Sequence, residues 1–117
     1  VSELTAIGAE TLELLEWPRL AQQLASFAST RAGSRHCSAL VPPLDFGESQ
    51  RRLAETTELL GLDGLTEGGL SFNGAADIGA TVSLCAKGGV APGEDLLAVA
   101  TTLAAARRLR RQIEDPE

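Results

Sequence analysis

Read for its apolar positions alone, the chain breaks into short helical stretches separated by glycine and proline. Leu12, Leu14 and Leu15, set in an acidic run from Glu10 to Glu16, predict a short first helix. Pro18 restarts the chain. It suits a first helical turn, where a missing N–H leaves nothing unpaired. From there Leu20, Leu24, Phe27 and Ala28 fall at i, i+4, i+7 and i+8, which predicts one buried helix face. Trp17, just before the proline, is placed to act as a hydrophobic staple across the junction between the first and second helices. Ser29 or Thr30 can cap a third helix from Arg31 to Leu40, with Cys37, Leu40 and Val41 on its apolar side. Pro42-Pro43 ends it.

Asp45 followed by Glu48 reads as a capping-box start. The helix after it carries Leu53, Leu59 and Leu60, with Glu48 and Arg52 paired one turn apart. The stretch from Gly61 to Gly74 is expected to be a glycine-rich loop anchored by Leu65, Leu70 and Phe72. A helix from Asp77 to Ala86 sets Ile78, Val82 and Cys85 on one face, and Gly88-Gly89 stops it. The last helix is the longest. Pro92 stands at its start, Glu94 and Asp95 complement the positive end of its dipole, and four arginines load its other end. Leu96, Val99, Leu103, Ala106, Leu109 and Ile113 mark its predicted buried stripe. The pattern predicts an all-α fold: a small bundle of five or six helices with Gly/Pro loops, forming a single helical domain over residues 1–117.

Composition sharpens this picture. A chain of 117 residues, 44% hydrophobic and 22% charged, is a globular domain large enough for its own core. Aromatics make up only 3%, so leucine and alanine, both strong helix formers, must supply that core. A net charge of −6 argues against a stand-alone binder of duplex DNA, which ordinarily needs a basic face to neutralise phosphate. Cys37 and Cys85 read as reduced core thiols of a cytoplasmic protein. No apolar run approaches the ~18 residues of a membrane span, and no secretory signal pattern opens the chain. The first residue, Val1, suggests a piece processed or cut from a longer protein.

Few residues invite a chemical reading. His36, Cys37 and Cys85 are the only imidazole and thiol groups, and no CxxC or HxxxH spacing joins them, so no metal site is expected. A nucleophilic triad would have to use His36 with Ser34 or Ser38 and Asp45, in no recognisable motif. The glycines of 61–74 lack the GxxxxGK[ST] of a phosphate loop, since Lys87 is the only lysine and Gly88-Gly89 follow it. Asp77, Glu94 and Asp95 sit at helix starts, where capping explains them. Arg107, Arg108 and Arg111 remain. They cover an arc of about 100° away from the apolar stripe, with Arg110 at its edge. Dipole compensation and solvation account for them most simply. The functional alternative is contact with DNA phosphate or with another part of a larger protein.

The segment ETLELLEWPRLAQQLASFAST, with Leu12, Leu15, Trp17, Leu20, Leu24 and Phe27, resembles the start of the bacterial MutS paralogue family that lacks the mismatch-reading domain, endonuclease MutS type two. AADIGATVSLCAKGGVAPGEDLLAVATTLAAARRLRR is similar to that family's helix, Gly-Gly turn and long arginine-ended helix. The matching positions there include Asp77, Ile78, Gly88, Gly89, Leu96, Leu97, Leu103 and Arg107. The resemblance runs from Thr11 to Arg111. Two departures stand out. Ala91 occupies the place of a Ser or Thr cap, so the last helix is expected to fray at its start, and the 62–74 loop is long and glycine-rich.

The resemblance implies an N-terminal piece of the helical core and lever of a larger protein. Lever and clamp helices, a P-loop ATPase using ATP and Mg, and a nuclease module would follow in that protein. It further implies a homodimeric, cytoplasmic parent that binds DNA, acts in DNA repair, restrains homologous recombination and works on stalled ribosomes. No catalytic, cofactor-binding or metal-binding residue of that parent falls in this chain. The rival expectation is an independent helical adaptor that takes a protein partner in an apolar groove.

Overall fold

The structure, a computed structural model, describes residues 8–115, and these are helical with no strand among them. Six helices follow in order: α1 (Ala9–Leu14), α2 (Trp17–Ser26), α3 (Arg31–Ser38), α4 (Phe46–Leu65), α5 (Gly79–Ala86) and α6 (Gly93–Glu114). The all-α expectation, with a long last helix, holds. Of the described residues, 8–29 and 33–61 form one compact unit, and 30–32 and 62–115 form another.

In the first unit, α1 ends where Glu16 takes up a left-handed conformation (φ 52°), an unusual choice for a residue other than glycine. The same residue is the N-cap of α2, and Pro18 occupies the first turn as expected. α1 packs on α2. The face α2 buries, however, is not the expected one. Ala21 and Ala25 are enclosed, while Leu20, Leu24 and Phe27 are exposed. Trp17 is half-buried, and its indole Nε1 donates to the carbonyl of Leu40 at 2.7 Å. The indole thus ties the start of α2 to the exit of α3. The next carbonyl, Val41, accepts from Arg52 Nη1 at 3.1 Å. These two side chains satisfy the backbone where Pro42 and Pro43, which have no N–H, cannot continue a helix.

Asp45 caps α4, accepting the Glu48 N–H at 2.8 Å. The Glu48 side chain does not complete a capping box, because two arginines take it. α4 also runs further than expected, through Gly61 and Gly64 to Leu65. A glycine costs a helix only about 1 kcal/mol relative to alanine, and Leu59, Leu60, Leu62 and Leu65 around them are strong helix formers. Leu53, Leu59, Leu60 and Leu65 on α4 are all exposed.

In the second unit, Thr66 is buried and returns its hydroxyl to the Leu62 carbonyl at 2.9 Å, closing the helix end. α5 is two residues shorter at its start than predicted. Cys85 and Val82 are exposed, so neither is the core residue expected; Cys37, on α3, is half-buried, and both thiols are free. The α5 exit is a Schellman turn. Gly88 N–H donates to Cys85 O (2.9 Å) and Gly89 N–H to Leu84 O (3.0 Å). Gly88 sits at φ +80°, and a Cβ on Gly89 would lie 2.7 Å from Leu84 Cγ, so the turn demands glycine twice for two different reasons. Pro92 is the N-cap of α6 rather than its first helical residue, with no side-chain cap bond.

Candidate functional site

The arginine-bearing helix α6 organises its unit, through a face the leucine pattern does not announce. Asp95, Ala98, Thr102, Leu109 and Gln112 are half-buried and Ala105 is enclosed. Of the predicted stripe, Leu96, Leu103 and Ile113 are exposed, at 55%, 54% and 47%; Val99 and Leu109 are half-buried. Part of that face is polar because it receives backbone. Ser71 N–H donates to Gln112 Oε1 (3.1 Å), Arg108 Nη2 to Asn73 O, and Ala76 N–H to Thr102 Oγ1 (3.0 Å), while Thr102 donates onward to Ala98 O (2.7 Å). Gly74 passes close over Thr101 and Ala105, at φ +87°. Residues 71–76 therefore run antiparallel along α6 as a strap. A backbone strap needs polar partners and a small residue beneath it, which Thr102, Arg108, Gln112 and Ala105 supply. A second tie joins Leu70 N–H to Asp63 Oδ1 at 2.8 Å.

This separates the arginines that the sequence groups. Arg108 latches the strap. Arg110 pairs with Glu114 at 2.7 Å. Arg107 and Arg111 are exposed and form no hydrogen bond or ion pair among the described residues. Arg108 and Arg111 border a shallow hollow with Gln112, Glu114 and Asp115. The arc expected to hold Arg107, Arg108 and Arg111 together thus offers two uncommitted guanidinium groups, not three. Thr102 and Gln112 carry no signal in the sequence; only their 3-4 spacing with Ala98, Ala105 and Leu109 could have marked a second face.

The first unit has its own charged site. Glu48 accepts from Arg51 through both oxygens (2.8 Å each) and from Arg52 Nε (2.8 Å), and Arg51 also reaches Glu55. The hydrogen bonds from Arg51 and Arg52 hold the Glu48 carboxyl at about 2, and Glu48 in turn pushes the Arg51 guanidinium up. These groups edge an open hollow with His36, Ala39, Leu40 and Val41. The groups a nucleophilic site would draw on are engaged elsewhere: the Ser38 hydroxyl donates to Ser34 O at 2.9 Å, and Asp45 caps α4. Among the described residues no three His, Cys, Asp or Glu side chains are grouped to hold a metal, and no helix is long and apolar enough to cross a membrane. Many leucines, with Phe27, Phe46 and Phe72, are exposed on the two units, an arrangement suited to further protein contact.

No protein-family model matches the chain, and no solved structure matches it. Curated relatives do. The chain is 43% identical over 109 residues to the endonuclease MutS2 of Synechocystis sp., covering 93% of itself and 13% of that protein. It is 39% identical over 109 residues to the protein of the same name from Symbiobacterium thermophilum, covering 92% of itself and 13% of the relative. With the Geobacillus thermodenitrificans protein it shares 36% over 102 residues, again 13% of the relative's length. The chain thus matches, over nearly its whole length, one small stretch of each of these proteins, about 13% of their length, and is similar to a segment of MutS2-like proteins.

Proposed function

We propose that these residues are the N-terminal scaffold and lever segment of a longer MutS-like, DNA-binding ATPase, cytoplasmic and homodimeric. In this reading the segment performs no catalysis. Its helices carry an ATP-driven rearrangement from a P-loop domain, where ATP and Mg bind, toward a DNA-contacting clamp. The parent would serve DNA repair, suppression of homologous recombination and the handling of stalled ribosomes, and would carry the endonuclease activity that its relatives' name states. The observation that carries the proposal is the 43% identity confined to 13% of a much longer relative. The outward leucines of α2, α4 and α6 support it, since a scaffold packs against the chain it supports. Arg107 and Arg111 are the groups available for DNA phosphate or for a neighbouring domain.

The test uses the longer protein that carries this segment. ATP hydrolysis is measured with and without branched DNA, for the native sequence and for Arg107→Ala with Arg111→Ala. Hydrolysis that responds to branched DNA is expected. A protein that neither binds nor hydrolyses ATP overturns the reading. If the arginines meet phosphate, the double variant weakens DNA binding uniformly across sequences and flattens its salt dependence.

A further inference from the structure

The outward stripe of α6 has a definite geometry. Leu96, Val99, Leu103, Ala106, Arg110 and Ile113 recur at alternating steps of three and four, the seam of a two-helix coiled coil with one charged position. This seam is distinct from the face that holds the strap. Leu96, Leu103 and Ile113 are exposed on it, and the side chain of Arg110 is 77% exposed.

We infer that this seam is covered by a helix from the remainder of the same, longer polypeptide, one with a matching apolar stripe that leaves room for Arg110 and its partner Glu114. The inference rests on the reading of the chain as a segment of a larger protein. A second copy of the chain fits poorly. Parallel pairing of two α6 seams sets Arg110 against its own image, and antiparallel pairing sets it against Val99 of the other copy. A single helix seam also falls well short of the ~20–30 residues a side of a stable interface between separate molecules. A tethered helix escapes that requirement, because the tether keeps its effective concentration high. The relatives supply ample chain for it, since this segment is 13% of their length. Arg107 beside the seam and Arg111 beyond it add positive charge at the same end, which favours an acidic partner surface there.

The experiment compares the 117-residue chain with the longer protein, both carrying Cys37→Ser and Cys85→Ser. Thiol labelling is followed at Leu103→Cys, on the seam, and at Ala104→Cys, one residue around the helix and exposed. The expected result is fast labelling of both in the short chain. In the longer protein, labelling of Leu103→Cys slows by about 100-fold or more, independently of concentration, and Ala104→Cys is unchanged. Adding Arg110→Glu restores labelling of Leu103→Cys. Equal labelling of Leu103→Cys in both proteins overturns the inference. So does protection that appears in the short chain and grows with concentration, which would mark a second copy as the occupant. ATP hydrolysis by the longer protein is assayed in parallel. Hydrolysis with an unprotected seam overturns the seam alone, whereas loss of the ATPase reading shows as absent hydrolysis whatever the labelling.

Discussion

Two substitutions on α6, two residues apart, should reverse the order that the leucine pattern suggests. By pattern, Leu103 is core and Ala105 is incidental. In the structure Leu103 is 54% exposed and Ala105 is 3% exposed. An enclosed Leu→Ala change costs about 2–5 kcal/mol, of which part is the cavity left behind. Leu103 is removed from water over less than half its surface, and an open site leaves no cavity. Full burial of a leucine is worth about 1.5–3 kcal/mol, so Leu103→Ala in the 117-residue chain should cost about 1 kcal/mol or less, softened by the helix preference of alanine. Ala105→Leu is the larger perturbation. Three added carbons must fit beneath the strap at Gly74, and overpacking costs about 1–3 kcal/mol. If the strap lifts instead, its N–H bonds to Thr102 and Gln112 and the bond it accepts from Arg108 are lost, at about 0.5–1.5 kcal/mol each. Urea unfolding followed by circular dichroism measures both. A cost above about 2.5 kcal/mol for Leu103→Ala, with Ala105→Leu nearly neutral, would refute the assignment of faces.

Three further outcomes follow from single contacts. Trp17→Phe keeps an aromatic ring but removes the donor to Leu40 O, and should destabilise by about 1–2 kcal/mol in the same assay; no change would mean that the bond contributes nothing. Gly88→Ala must hold alanine at φ +80° and should cost about 1 kcal/mol or more, read as a lower urea midpoint, whereas Ala substitution at Gly93, with open space around it, should be neutral or better. Glu48 is charged down to about pH 2, so its contribution is present above the ordinary carboxylate value of 4.5 and is lost as pH falls from there through about 2. The stability difference between the native chain and Glu48→Gln should therefore shrink across that window, and a difference that grows with acid would contradict the pairing with Arg51 and Arg52.

Helix existence was legible in the sequence because it depends on local features: Pro18, the Asp45 cap, the Gly88-Gly89 exit and the acidic and basic ends of α6 each act within one turn. Helix orientation was not. The 3.6-residue pattern identifies an apolar face but not which partner covers it. In α2 and α6 most of the large side chains are exposed, and the enclosed residues are alanines. An alanine face is weak as a hydrophobic signal even where it admits the closest approach. The strap was hidden for a related reason. Its stability lies in Thr102, Arg108 and Gln112 meeting backbone groups some 26 to 41 residues away in sequence, and no local pattern encodes that. The continuation of α4 through Gly61 and Gly64 was missed because glycine marks a break only when its neighbours do not favour helix.

Whether these residues belong to a larger ATPase is tested most directly by the coding sequence around them. Reading it in frame should reveal a chain several times longer that contains a GxxxxGK[ST] segment between a strand and a helix, the loop that would hold the phosphates of ATP. A stop codon directly after Glu117, with no such segment upstream, would contradict the account and leave an independent helical adaptor.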